Sequence, residues 1–254
     1  MFHVEQLIKD GERLDDLHRK GYKIIQDPKK FCFGMDAALL SGFARVHKGQ
    51  RHLDLCSGNG VIPILLSAKS LGDSFWGLEI QEDMVDMAQR SIAYNGLGDR
   101  VKIFHGDVKS PASPAFAPAS FNVVTANPPY VAIGRGVASP ATAKAIARHE
   151  ILCSLEDVIK AASWLLMSKG YFYMVHRPSR LPEIFVLFEK YGLAAKILQL
   201  VQAKAATPPN MLLIAATKGG GEHLKMEAPL IIYGDDGKYT KKVQEIYYEK
   251  RNIE

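Results

Sequence analysis

Four consecutive residues, Asn127-Pro128-Pro129-Tyr130, place an amide, two prolines and an aromatic ring directly after the apolar, β-branched run Phe121-Asn122-Val123-Val124-Thr125-Ala126. The run is short and bounded by turn formers, which predicts a strand that ends in a loop. Pro128 excludes the helical region for Asn127, so the amide is presented on extended backbone. It offers one carbonyl acceptor and one NH2 donor there, and the Tyr130 ring offers a face to a planar ligand. A strand followed by a proline-stiffened turn has the same local sequence, so the residues upstream decide between the two readings.

Three upstream stretches bear on that choice. Cys56-Ser57-Gly58-Asn59-Gly60 lies between the strand-like Leu53-Asp54-Leu55 and a helical run from Val61. Gly58 and Gly60 allow close backbone approach to a ligand, and the helix N-terminus that follows favours a carboxylate or phosphate. Nucleotide, flavin and methyl-donor sites all share that turn. Glu79 comes about 25 residues after Asp54 at the end of a second apolar run, where an acid accepts from both hydroxyls of a ribose. Asp107 ends the third run, placed to accept from the exocyclic amine of an adenine. Singly, each acid also reads as a solvated strand end or a helix cap. Together with Asn127-Pro128-Pro129-Tyr130 they form four polar strand ends in succession, the place where open α/β sheets bind ligands.

The elements that must position these residues follow from periodicity. Residues 22–26 read as a strand, and residues 11–17 as a surface turn or short helix. A helix is predicted from about Met35 with Asp36 in its first turn, either as a capping acid or facing a ligand. From Arg51 strands alternate with helices: strands at 53–55, 75–80, 101–107, 121–126 and 171–175, helices from Val61, after Gln81, from Ser154 and from Leu181. Ser154 with Asp157 three residues later is a helix start signal. Residues 195–201 and 211–216, joined across Thr207-Pro208-Pro209-Asn210, predict an antiparallel pair. A strand at 230–233 and a basic helix from Thr240 follow the joint Gly219-Gly220-Gly221. The fold class is therefore α/β: a Rossmann-like, doubly wound, mostly parallel seven-stranded sheet with an antiparallel strand pair at the C-terminal edge and a small N-terminal extension. The expected organisation is an extension over residues 1–50, the main domain over 51–220 and an appended strand and helix over 221–254.

Composition sets outer limits. The 254 residues are 47% hydrophobic and 23% charged, enough for a sizeable core. No apolar run reaches membrane-spanning length and residues 1–16 are too charged for a signal peptide, so a cytoplasmic protein without a membrane partner is expected. Cys32, Cys56 and Cys153 lack metal-ligand spacing and read as reduced thiols, so no metal is expected. The formal net charge of +5 is compatible with nucleic acid. Residues 131–150, with Arg135, Lys144 and Arg148, read as a long basic loop, and loops of that length in a compact domain are commonly functional or disordered. These three cations with His176, Arg177 and Arg180 are the candidate contacts to an RNA backbone.

Residues 53–130 resemble the class I S-adenosylmethionine-dependent methyltransferases, and Asn127-Pro128-Pro129-Tyr130 resembles the motif of those that methylate planar amide or amino nitrogens. The flanking segments Phe31-Cys32-Phe33-Gly34-Met35-Asp36-Ala37-Ala38-Leu39-Leu40, Glu79-Ile80-Gln81 and Val175-His176-Arg177-Pro178-Ser179-Arg180-Leu181 resemble bacterial tRNA adenine-N6 methyltransferases, which act at position thirty-seven of a valine tRNA. Protein glutamine methyltransferases acting on release factors share the four-residue motif. The resemblance implies S-adenosylmethionine as cofactor and tRNA as partner. It implies Asp54, Cys56, Ser57, Gly58 and Gly60 around the methionine moiety, Glu79 and Ile80 at the ribose, Asp107 and Val108 at the adenine, and Asn127 beside the donor. Asn127, Pro128, Pro129 and Tyr130 become the catalytic set. Cys56 departs from the family, where many members have glycine, and is expected to hold the turn with a negative φ.

Overall fold

The computed structural model of the chain describes residues 7–30, 32–111, 115–130 and 153–248. Its first element is a hairpin, β1 (Arg13–Asp16) and β2 (Lys23–Gln26), paired antiparallel. The turn or helix expected at 11–17 is thus a strand. Leu14 and Asp15 in its middle are partly buried, and β2 supplies the backbone partners that a lone turn lacks.

After α1 (Met35–Phe43) come β3 (Arg51–Leu55), α2 (Val61–Lys69), β4 (Ser74–Glu79), α3 (Glu82–Tyr94), β5 (Val101–His105) and β6 (Phe121–Ala126). Then follow α4 (Leu155–Leu165), β7 (Leu166–His176), α5 (Leu181–Lys190), β8 (Leu193–Gln202), β9 (Met211–Lys218), β10 (Lys225–Ile231) and α6 (Lys241–Tyr247). The main sheet has the order β10-β8-β9-β7-β6-β3-β4-β5. It holds eight strands where seven were expected. The antiparallel β8–β9 pair is present, but β10 adds outside it, parallel to β8, so the pair is not the edge.

Strands β5, β4, β3, β6 and β7 run parallel, and consecutive side chains on them enter different cores. Val123, Tyr173 and Val175 face the core shared with α1, α2 and α3, whereas Val124, Phe172 and Met174 face the core shared with α4 and α5. Burial on both faces explains why these strands read as continuous apolar runs. The winding reverses between β3 and β6: β3 leads to β4 on one side, and β6 leads to β7 on the other. That reversal opens a crevice beyond the carboxyl ends of β3 and β6.

The N-terminal hairpin is tied to the same region. Arg90 on α3 grips both carboxylate oxygens of Glu12 at 2.6 Å, and the pair is largely shielded from solvent. The edge of β2 bonds to α3 through Ile25 N–H to Ser91 Oγ at 3.0 Å and Lys23 N–H to Asn95 Oδ1 at 2.8 Å. Gln26 Oε1 then accepts from Phe33 N–H at 2.9 Å, which sets the segment leading into α1 against the crevice. No helix among the described residues is long and apolar enough to cross a membrane.

Candidate active site

A cavity of about 450 Å³ occupies the crevice, within the range of small-molecule sites. Its walls come from the segments after β3, β4, β5 and β6, from the start of α1 and from Arg177.

The glycine-rich turn after β3 is built from left-handed residues. Gly58 has φ +54°, and Gly60, the N-cap of α2, has φ +78°. A β-carbon at Gly60 would also crowd the Ala88 side chain at 3.2 Å, so both backbone angle and space call for glycine. Cys56 also takes a positive φ of +57°, contrary to the expectation that a non-glycine residue would keep it negative. The reason is register. Ser57 N–H must reach Leu78 O on β4 at 3.1 Å and Gly60 N–H must reach Ser57 O at 3.0 Å, and the chain turns tightly enough for both only by bending left at Cys56. The Cys56 thiol faces the cavity with Cys153, the two sulfurs 3.6 Å apart as free thiols.

Glu79 is buried, and its two oxygens are already in use. Oε2 accepts from Gly58 N–H at 2.8 Å and Oε1 from Gln81 N–H at 2.9 Å, so one carboxylate locks two strand ends together at the cavity wall. Ile80, Asp107 and Val108 also wall the cavity, and Asp107 Oδ1 accepts from Lys109 N–H at 2.9 Å. Asp54 and Gly60, expected around a ligand, lie beneath the wall instead. Asp54 is wholly buried, accepts from Thr125 Oγ at 2.5 Å, and leaves Oδ2 without a protein partner. Because Thr125 spends its proton on Asp54, the neighbouring His52 must donate to Thr125 through Nε2, at 2.8 Å. Burial pushes the Asp54 carboxyl up to about 7 and the His52 imidazole down to about 3. The set fits a nucleoside carrying a charged amino-acid arm. Two acids stand at adjacent strand ends, Leu78, Ile80 and Val108 supply apolar wall between them, and a left-handed glycine cradle sits at a helix N-terminus.

Asn127, Pro128, Pro129 and Tyr130 face this cavity from the end of β6. The Tyr130 hydroxyl lies 2.7 Å from Asp36 Oδ2 and 2.5 Å from Asn127 Oδ1. Burial and the adjacent Asp36 raise the phenol well above the ordinary tyrosine range. The Arg177 guanidinium sits 4.8 Å over its ring and the His176 imidazole meets it edge-on at 5.4 Å.

The expected RNA contacts divide accordingly. His176 is fully buried at the end of β7, and burial, reinforced by Arg180, lowers its pKa to about 4; a neutral buried ring does not suit a phosphate contact, so that assignment is corrected to packing against Tyr130. Arg177 covers Tyr130 and donates to Asn210 O at 2.9 Å, while Arg180 pairs with Glu183 at 2.7 Å. Arg135, Lys144 and Arg148 lie outside the described residues.

Sequence reasoning left out several contributors. Phe33, Gly34, Met84 and Cys153 wall the cavity, and no strand-end pattern marks them. Gly77 is the most consequential. It lies on β4 under the glycine-rich turn, and a β-carbon there would stand 2.4 Å from Ser57 Oγ, 2.8 Å from Ser57 Cβ and 2.6 Å from Ile103 Cδ1. Rotation moves the Ser57 oxygen away but not its β-carbon. Gly77→Ala is therefore expected to destabilise by about 2 kcal/mol through overpacking and to weaken methyl-donor binding by displacing the turn, read by denaturant midpoint and calorimetric titration.

The chain is similar in sequence and fold to known proteins. The chain is 26% identical over 233 residues to the tRNA1(Val) (adenine(37)-N6)-methyltransferase of Bacteroides thetaiotaomicron, covering 90% of this chain and 95% of that one. It is 28% identical over 224 residues to the protein of the same name from Histophilus somni, covering 87% and 90%. Among solved structures, a predicted O-methyltransferase from Agrobacterium tumefaciens superposes with a TM-score of 0.67 at 22% identity, over 86% of this chain and all of that one. The tRNA m1G37 methyltransferase of M. jannaschii superposes with a TM-score of 0.56 at 13% identity, over 83% and 58%. The model of the methyltransferase small domain matches residues 34–197, more than half of the chain. On that match the chain belongs to the methyltransferase small domain family, and S-adenosylmethionine is its methyl donor.

Proposed function

We propose that this methyltransferase acts on the exocyclic N6 of an adenine in tRNA, with the nucleotide beside the anticodon of a valine tRNA as the intended position. The observation that carries the reading is the opening of Asn127-Pro128-Pro129-Tyr130 onto the same cavity as Glu79 and Asp107, so that acceptor-holding and donor-holding groups share one space. The names of relatives aligned over nearly the whole chain support the acceptor.

The exocyclic nitrogen of adenine is a poor nucleophile because its lone pair is delocalised into the ring. The Asn127 side-chain oxygen and the Pro128 carbonyl accept its two hydrogens, which pyramidalises the nitrogen and directs its lone pair. Proline at 128 fixes φ and stiffens the backbone that carries this carbonyl. Tyr130 supports the extruded base by stacking, its own ring steadied by Arg177. The donor supplies an electrophilic methyl group on a sulfonium. Glu79 and Asp107 hold its nucleoside, and the Cys56 to Gly60 turn receives its amino-acid arm. The extra proton on the methylated nitrogen leaves to solvent.

Incubation of the purified protein with bulk tRNA and donor labelled in the methyl group tests the reading. The expected product is ribonuclease-sensitive, protease-resistant label recovered as N6-methyladenosine. Absence of transfer to any tRNA, or label on protein glutamine, overturns it.

A further inference from the structure

The hydroxyl of Tyr130 has one proton and two oxygen neighbours, Asp36 Oδ2 at 2.7 Å and Asn127 Oδ1 at 2.5 Å. A phenol donates once. The charged carboxylate is the stronger acceptor. It is also held in place, because Asp36 Oδ1 accepts from Ala37 N–H at 2.9 Å in the first turn of α1, and a side chain at Gly34 would lie 2.9 Å from that oxygen. With the phenol proton committed to Asp36, Tyr130 faces Asn127 with lone pairs only. Which end of a side-chain amide carries the oxygen is decided by the groups around it; the structure sets both Asn127 Oδ1 and Asp36 Oδ2 toward a single proton, and only the reversed amide, with NH2 toward Tyr130, gives each group a partner.

We propose that Asp36 is a positioning residue for methyl transfer, which by drawing the Tyr130 proton to itself obliges Asn127 to donate to Tyr130 and so keeps the Asn127 carbonyl oxygen turned away from it, as the acceptor for the target amine. The proposal rests on the reading of Asn127 as the group that holds the acceptor nitrogen. It gives the α1 segment, built by the N-terminal hairpin, a task in orienting the acceptor. A carboxylate imposes one direction on the chain Asn127 to Tyr130 to Asp36. An amide at position 36 does not, because it also donates, and Tyr130 is then free to spend its proton on the oxygen that Asn127 needs.

Asp36→Asn, nearly isosteric, tests this. The expected result is a fall in kcat of at least about tenfold with the dissociation constant for S-adenosylmethionine changed less than about twofold. Tyr130→Phe removes the intermediary, and in that background Asp36→Asn is expected to cause less than about a twofold further loss. Equal losses in both backgrounds overturn the proposal, as a base or purely structural role at Asp36 predicts. The side-chain amide signals of Asn127 in 15N NMR, identified by their disappearance in Asn127→Ala, read the same coupling without turnover. Asp36→Asn is expected to shift them in the wild-type background and to leave them in place in the Tyr130→Phe background; signals unmoved in both overturn the proposal. A wild-type protein that methylates no tRNA overturns the functional reading instead, and the NMR result still decides the role of Asp36.

Discussion

Asn127→Ala is expected to reduce methyl transfer by about three orders of magnitude while leaving donor affinity within about twofold. In the proposed mechanism the side-chain oxygen of Asn127 holds one hydrogen of the target amine, and its loss lets the nitrogen relax toward the planar, delocalised form. Removal of one well-placed hydrogen-bonding group around a developing charge costs about 10²–10³ in kcat, and the misorientation that follows adds to it. On the same proposal the donor is held chiefly by Glu79, Asp107 and the glycine-rich turn, whose hydrogen bonds run to Gly58, Gln81 and Lys109 and not to Asn127. Initial rates with labelled donor and calorimetric titration with S-adenosylmethionine separate the two. Loss of donor binding together with activity would show that Asn127 shapes the cavity and does not act on the acceptor.

The second large effect is expected at Glu79. Its carboxylate accepts from Gly58 and Gln81 N–H, and from the end of β4 it is the group proposed to hold the donor's ribose hydroxyls. Hydrogen bonds to a charged group contribute about 1.5–3 kcal/mol each, so loss of two from the donor weakens its binding by roughly a hundredfold or more. Glu79→Ala also strips two backbone N–H groups of their acceptor at a buried wall, which costs stability by about 1–3 kcal/mol per unsatisfied group. Donor titration and a denaturation midpoint read both losses on one sample. Glu79→Gln keeps one acceptor oxygen and is expected to fall between wild type and alanine. A Glu79→Ala protein that binds donor as wild type does would remove Glu79 from the site.

Glu79, Asp107, Asn127 and the turn after β3, which wall the cavity, were legible because they sit at strand ends, where a change from apolar periodicity to Gly, Asp, Glu or Asn-Pro is visible along the chain. The parallel strands were legible for a related reason: burial on both faces leaves no polar alternation to confuse with a surface strand. What escaped depends on partners distant in sequence. The 11–17 segment is a strand only because residues 23–26 lie beside it, and the strand read at 230–233 starts at Lys225 and joins the main sheet as its eighth because β8 offers an edge. The left-handed bend at Cys56 is imposed by a hydrogen bond to β4, and sequence preference alone argues against it. His176 and Arg180 read as free cations beside a motif, yet one is interior and the other is engaged with an acid three residues on. Gly77 carries no local signal, because the clash that demands glycine is with Ser57 on the neighbouring strand's turn.

The grip of Arg90 on Glu12 sets a limit on how far this enzyme can be trimmed. The family match begins at residue 34, yet the guanidinium that secures residues 7–33 is itself only 12% exposed, on a helix inside the matched region. Cutting the chain at the family boundary removes Glu12 from Arg90, which keeps Asp86 as its remaining acid at 2.9 Å, and also unseats the segment that carries Phe33 and Asp36 to the cavity. The folded unit around the cavity is therefore larger than the recognisable family core, and an engineer who transplants that core alone leaves behind Cys32 and Phe33 from the cavity wall.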